Sequence, residues 1–135
     1  MRFLTALPVH NEESHVAAVL ERVREYSENV LVVNDGSKDG TARELARFPW
    51  LKVVTHPTNL GYGAALKSAF QFAVDGHYDV LVTIDCDGQH QPRVILRLTP
   101  RPVRNRERAK RYSLYGGHHK MRQVILRQPR LQVRR

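Results

Sequence analysis

The feature that most restricts the fold is an alternation of two hydrophobic periods along residues 1–97. Phe3-Leu-Thr-Ala-Leu-Pro-Val9, Asn29-Val-Leu-Val-Val33, Leu51 to Thr55 and Asp79 to Asp85 read as short buried strands, and the second is too continuous to be half exposed. Between them, Val16, Val19, Leu20 and Val23 predict a helix from His15 to about Tyr26, with a plausible cap in His10 to Ser14. A second helix is expected over Ala42 to Phe48. Leu66, Ala69, Phe70 and Ala73 predict one face of a third over Ala64 to about Val74. Strands and helices in strict alternation predict an α/β fold, a parallel sheet covered on both faces.

In an open parallel sheet the ligand crevice lies beyond the carboxyl ends of the strands. Pro8 to Glu12 follows the first strand, Asp35 to Ser37 the second and Asp85 to Gln89 the fourth, so these polar clusters are expected to meet along one edge. In Leu81-Val-Thr-Ile-Asp85-Cys86-Asp87-Gly88-Gln89 an apolar run ends in two aspartates that bracket one residue. Alternation along extended backbone puts Asp85 and Asp87 on one side and Cys86 on the other. Two carboxylates so placed suit a hard cation, Mg2+ or Mn2+, with positions open to diphosphate oxygens. Each cluster also has a plain structural reading. Asp87-Gly88 and Asn34-Asp35-Gly36 make turns, Glu12 and Glu13 favour a first helical turn, and Asn59-Leu-Gly61 is a loop. Their coincidence on one edge argues for a site.

Charge divides the chain. Residues 1–97 carry ten Lys/Arg against twelve Asp/Glu, whereas residues 98–135 carry twelve Lys/Arg against Glu107 alone. The whole basic excess therefore lies past a boundary near Leu98, in a segment without a sustained apolar period. Residues 1–97 are read as one domain and 98–135 as an irregular basic tail, disordered or out of frame. A single cysteine, Cys86, excludes an internal disulfide and fits a reducing compartment. No apolar run is long enough to span a bilayer, and Pro8 interrupts the opening segment too soon for a secretory signal, so a cytoplasmic chain is expected.

Four segments resemble glycosyltransferase family 2, and within it the dolichyl- and polyprenyl-phosphate sugar transferases. They are Pro8-Val-His-Asn-Glu-Glu13, Val32-Val-Asn-Asp-Gly-Ser-Lys-Asp-Gly-Thr41, Asn59-Leu-Gly-Tyr-Gly-Ala-Ala65 and Asp85-Cys-Asp-Gly-Gln-His90, in the family's order and spacing. The resemblance implies the Rossmann-like, nucleotide-binding half of a GT-A fold and a nucleotide-diphosphate-sugar site. It sets Pro8, His10 and Glu12 along the nucleoside, with Glu12 at the ribose hydroxyls. Val33 and Asp35 border the base, Asp35 accepting a ring N–H of uracil or guanine. Asp85 lies by ribose and diphosphate, Cys86 belongs to the same donor-binding stretch, and Asp85, Asp87 and Gln89 form the Mg2+ or Mn2+ site. Lys67 either neutralises phosphate or is a solvated helix lysine. The family usually has an aromatic residue where His10 stands and a small one where Cys86 stands; neither departure removes a charge.

The activity implied is metal-dependent, inverting transfer of a sugar from a UDP- or GDP-sugar, with polyprenyl phosphate at a membrane surface as the candidate acceptor. An alcohol acceptor needs a general base, which the family takes from its second half, and Glu107 stands in no matching motif. An ionised lipid phosphate has less need of one. The alternative is a non-catalytic remnant that binds nucleotide sugar and transfers nothing. An oxidoreductase is disfavoured, since no G-x-G-x-x-G follows the first strand. Nucleic acid has only the tail to bind, and His118-His119 lacks a third metal ligand at a recognisable spacing. Half a sheet leaves an edge uncovered, so oligomeric state is open.

Overall fold

The computed structural model of the protein describes residues 2–86 and 125–127. Along the chain come β1 (Phe3–Val9), α1 (Val16–Arg24), β2 (Val30–Asp35), α2 (Thr41–Leu45), β3 (Lys52–His56), α3 (Tyr62–Asp75), β4 (Val80–Thr83) and β5 (Ile125–Arg127). The sheet order is β3-β2-β1-β4-β5, with the first four strands parallel and β5 antiparallel to β4.

Alternating side chains sort the core into two layers. Leu7, Val9, Val30, Val32, Val80 and Val82 pack with Val16, Leu20 and Val23 of α1 and Leu45 of α2. On the opposite face, Leu4, Ala6, Leu31, Val33 and Leu81 pack with Ala65, Ala69 and Ala73 of α3. An alanine at every fourth position gives α3 a flat stripe that lies close to the sheet. Each fully buried leucine, such as Leu7 or Leu20, contributes roughly 1.5–3 kcal/mol over an exposed one. The chain runs outward from β1 through β2 to β3, then returns across the other face to place β4 beside β1. The connections therefore diverge between β1 and β4, which puts a topological switch point at their carboxyl ends.

Several element ends depart from the sequence expectation. β2 runs on through Asn34 and Asp35 and β3 through His56, because Asn34 pairs with Thr55 and Asp35 with His56 in the ladder. Pairing and burial override the turn propensity of Asn and Asp. α2 stops at Leu45, and the chain tightens through Arg47 N–H to Glu44 and Phe48 N–H to Leu45 ahead of Pro49. α3 starts at Tyr62, and its buried stripe is Ala65, Ala69 and Ala73 without Leu66. β4 ends at Thr83, two residues before Asp85, although Ile84 N–H still donates to the Ala6 carbonyl. The cap expected before α1 is replaced by His15, whose side chain makes no capping bond.

Within the basic segment, Ile125–Arg127 pairs with Val80 to Val82 and covers part of the β4 edge. Gln123-Val-Ile-Leu is a short β-favouring run inside the basic segment, and an open ladder edge selects such a run. The rest of residues 98–135 lies outside the described residues. Among the described residues no helix is long and apolar enough to cross a membrane.

Candidate functional site

Strand order brings the loops after β2, β1 and β4 side by side, and backbone donors stitch the first two together. The Asn11 N–H donates to Ser37 Oγ at 2.9 Å, and the Lys38 N–H returns to Asn11 Oδ1 at 2.8 Å. The Glu12 N–H donates to Thr41 Oγ1 at 2.9 Å, the Glu13 N–H to Asp39 Oδ2 at 3.2 Å, and the Gly40 N–H to Glu13 Oε2 at 3.0 Å. Asn11 adopts φ 52°, a left-handed conformation that asparagine tolerates better than most residues. Asp39 accepts from the Thr41 N–H two residues on, an Asx turn that starts α2. The Thr41 hydroxyl is the main reason its carboxyl sits below the usual range; desolvation opposes, and backbone N–H groups of Thr41 and Glu13 add to the lowering.

Asp35 is the node of the site. Only 4% exposed, its Oδ1 accepts from His56 Nδ1 at 2.7 Å and from the Leu60 N–H at 2.9 Å, and its Oδ2 accepts from the Gly61 N–H at 2.9 Å. One carboxylate thus joins β2, β3 and the loop that leads into α3. Burial, the largest influence, pushes the carboxyl up; the His56 bond, the Leu60 and Gly61 N–H groups and attraction to His56 outweigh it and hold the carboxyl below its usual range. A depressed folded pKa contributes stability that is complete above the unfolded value, near 4, and is lost as pH falls through the folded one. The stability gap between the native protein and Asp35→Asn is therefore expected to hold from pH 7 to about 4 and to narrow on further acidification. Urea unfolding across that range reads it, and a gap unchanged at pH 3 would count against the ionised node.

The same cluster holds the His10 ring. Asn59 Oδ1 accepts the Gly61 N–H and Asn11 Oδ1 accepts the Lys38 N–H, so both amides turn their NH2 groups to His10 Nε2, at 3.1 and 3.2 Å. His10 Nδ1 lies 2.8 Å from the Asp35 carbonyl and must donate to it. The ring thus bridges the Asp35 carbonyl on one side and the Asn11 and Asn59 amides on the other.

The structure brings Pro8, His10, Glu12, Asp35 and Asp85 to one edge. Pro8 is half-buried and His10 exposed. Glu12 is half-buried, its Oε2 lying 3.3 Å from His15 Nδ1. Asp85 accepts from the Tyr62 hydroxyl at 3.2 Å, which ties it to the start of α3. Two donor-site expectations meet core residues instead. Val33 is 0% exposed beneath the alanines of α3, so its side chain offers no surface to a base. Cys86 is 3% exposed and packs with Ile84 in the α1 layer, which leaves its thiol facing the core. Alternation thus outlasts the ladder: Ile84 and Cys86 point inward, and Asp85 between them takes the other side. Lys67 is exposed on α3. Asp87 and Gln89 lie outside the described residues, among which no three His, Cys, Asp or Glu side chains are grouped to hold a metal ion. Asp85 is the hard oxygen donor that Mg2+ or Mn2+ would require there. The sequence ends the third expected strand at Thr55 and singles out neither His56 nor Ser68 nor Tyr62 for a role; only pairing across the ladder and the helix reveals them.

A parallel sheet with this order, its polar residues at the carboxyl ends of β1, β2 and β4, has the architecture of the Rossmann-like half of a GT-A glycosyltransferase fold. Glucosyl-3-phosphoglycerate synthase of Mycobacterium tuberculosis, solved with Mn2+, UDP and glucosyl-3-phosphoglycerate, shares it with a TM-score of 0.55 at 24% identity, over 69% of this chain and 37% of that one. The chain belongs to glycosyl transferase family 2, whose model matches residues 5–113. It is 38% identical over 104 residues to an undecaprenyl-phosphate mannosyltransferase of Micrococcus luteus, covering 73% of this chain and 43% of that protein. It is 39% identical over 104 residues to a polyprenol monophosphomannose synthase of Mycolicibacterium smegmatis, covering 72% and 39%. The chain thus spans about two fifths of the length of these curated relatives.

Proposed function

We propose that this chain supplies the donor side of a metal-dependent, inverting glycosyltransferase that takes its sugar from a UDP- or GDP-sugar. The observation that carries this reading is the placement of Glu12, Asp35 and Asp85 at the adjacent carboxyl ends of β1, β2 and β4, with His10 and Asn59 bonded at Asp35 and Tyr62 at Asp85. Asp35 receives a ring N–H of the base, His10 lies along the nucleoside, and Glu12 reaches the ribose hydroxyls. Asp85, Asp87 and Gln89 would hold Mg2+ or Mn2+. When bound, the ion stabilises negative charge on the departing diphosphate. Tyr62 keeps the Asp85 carboxylate oriented before donor arrives. The names of the two bacterial relatives support a polyprenyl-phosphate acceptor. Its phosphate is already ionised and attacks without a general base, and such a lipid implies work at a membrane surface.

A second reading, a module that binds donor without transferring sugar, makes the same demand on this site. Calorimetry with UDP and GDP tests the common ground: one nucleotide is expected to bind about tenfold more tightly with Mn2+ than with EDTA, an increment that Asp85→Asn removes. Failure of both nucleotides to bind with Mn2+ would sink both readings. Release of nucleotide from the sugar donor on adding polyprenyl phosphate then separates transfer from binding.

A further inference from the structure

Beneath Asp35 runs a buried chain of hydrogen bonds that donor binding as proposed above does not use. Ser68 Oγ lies 2.8 Å from His56 Nε2, and His56 Nδ1 lies 2.7 Å from Asp35 Oδ1. The three residues come from α3, β3 and β2, and His56 and Asp35 are partners in the ladder register. Both ring nitrogens of His56 are taken, by Asp35 and by Ser68, so it offers neither to a ligand. An ionised carboxylate can only accept, so His56 Nδ1 carries the hydrogen, and the Ser68 hydroxyl satisfies the far side of the ring.

We infer that His56, held by Ser68, is a positioning residue for nucleobase recognition and acts through Asp35. An aspartate on a strand has a broad final torsion. The Leu60 and Gly61 N–H groups come from a single loop and move with it. His56 belongs to the sheet and anchors Oδ1 from a second direction, so the carboxylate plane is set before any ligand arrives. Oδ1 is then occupied by two donors, and the spare accepting capacity lies on Oδ2, which among the described residues takes only the Gly61 N–H. That oxygen receives the N–H of the base. A donor on rigid sheet structure behind the recognition group is how a site holds its geometry within a fraction of an ångström. The groups facing the His56 ring nitrogens are the Asp35 carboxylate from β2 and the Ser68 hydroxyl from α3.

This inference rests on the donor-site reading, and its test separates the two. The full chain is titrated with UDP and GDP, and with ribose 5-diphosphate as the base-free reference, all with Mn2+. The native protein is expected to prefer one nucleotide over the base-free compound by about tenfold or more. His56→Leu should erase that preference while leaving affinity for ribose 5-diphosphate within about twofold. His56→Asn, whose amide N–H stands near the position of Nδ1, should restore most of it. Ser68→Ala should lower the preference by about threefold, the loss of one neutral hydrogen bond. Circular dichroism reports folding, and should His56→Leu fail to fold, Ser68→Ala and His56→Asn carry the comparison. If the variants lose nucleotide and base-free affinity in equal proportion, or lose neither, the positioning role is overturned and donor binding stands. If the native protein binds neither nucleotide, the donor reading falls and this inference with it.

Discussion

Asp35→Ala is expected to lower the unfolding free energy by about 3 kcal/mol and to abolish nucleotide binding. Alanine leaves His56 Nδ1–H and the Leu60 N–H without their acceptor and the Gly61 N–H with Asn59 Oδ1 alone, around a side chain almost closed to water. The first two keep their desolvation cost and lose the compensating bond. Against the roughly 5–15 kcal/mol that stabilises a typical domain, such a loss is large. Asp35→Asn should fall between, because it keeps one accepting oxygen and turns an NH2 toward a donor. Urea unfolding followed by circular dichroism measures both. An alanine variant within about 0.5 kcal/mol of the native protein would mean that the carboxylate does not hold the loop.

Gly36→Ala is expected to cost about 2–4 kcal/mol and to open the same edge by a different route. Gly36 adopts φ +64°, and a Cβ built there would lie 2.2 Å from the Thr58 carbonyl carbon and 2.4 Å from the Asn59 nitrogen. Those are backbone atoms, so relief requires moving Asn59, Leu60 and Gly61 away from Asp35 and His10. Gly40→Ala is the informative control. Its Cβ would meet Glu13 Oε1 at 2.3 Å, the far end of a flexible side chain that can swing aside. The loss there should stay below about 1 kcal/mol. Thermal unfolding and nucleotide titration of the pair decide the matter, and equal losses at Gly36 and Gly40 would contradict the close approach of the two loops.

These two residues mark where sequence reading worked and where it ran out. Strand and helix periods place β1, β2, β3, α3 and β4 within a few residues, because burial on a two-sided sheet demands continuous apolar runs. Asn34, Asp35 and His56 read locally as turn or loop, yet cross-strand pairing draws them into β2 and β3. Local propensity carries no information about a partner elsewhere in the chain. The same limit applies to Val33 and Cys86. Family resemblance sets them by the donor, and the alternation of faces puts their side chains in the two core layers. Ile125–Arg127 repeats the lesson in the basic tail, where a ladder edge recruits a run too short to announce itself.

By itself the sequence determined the alternation of strands and helices, the family, and the three polar clusters whose order along a parallel sheet obliges them to share an edge. The alternation and the clusters follow from period and local composition, and the family from four short motifs in order, all of them properties of consecutive residues. Only the tertiary structure decided that Asp35 is a buried node, that His10 meets the Asn11 and Asn59 amides, and that Ser68 reaches Asp35 through His56. Each of these depends on atoms from different elements meeting at hydrogen-bond distance, and that meeting is created by packing α3 against the sheet.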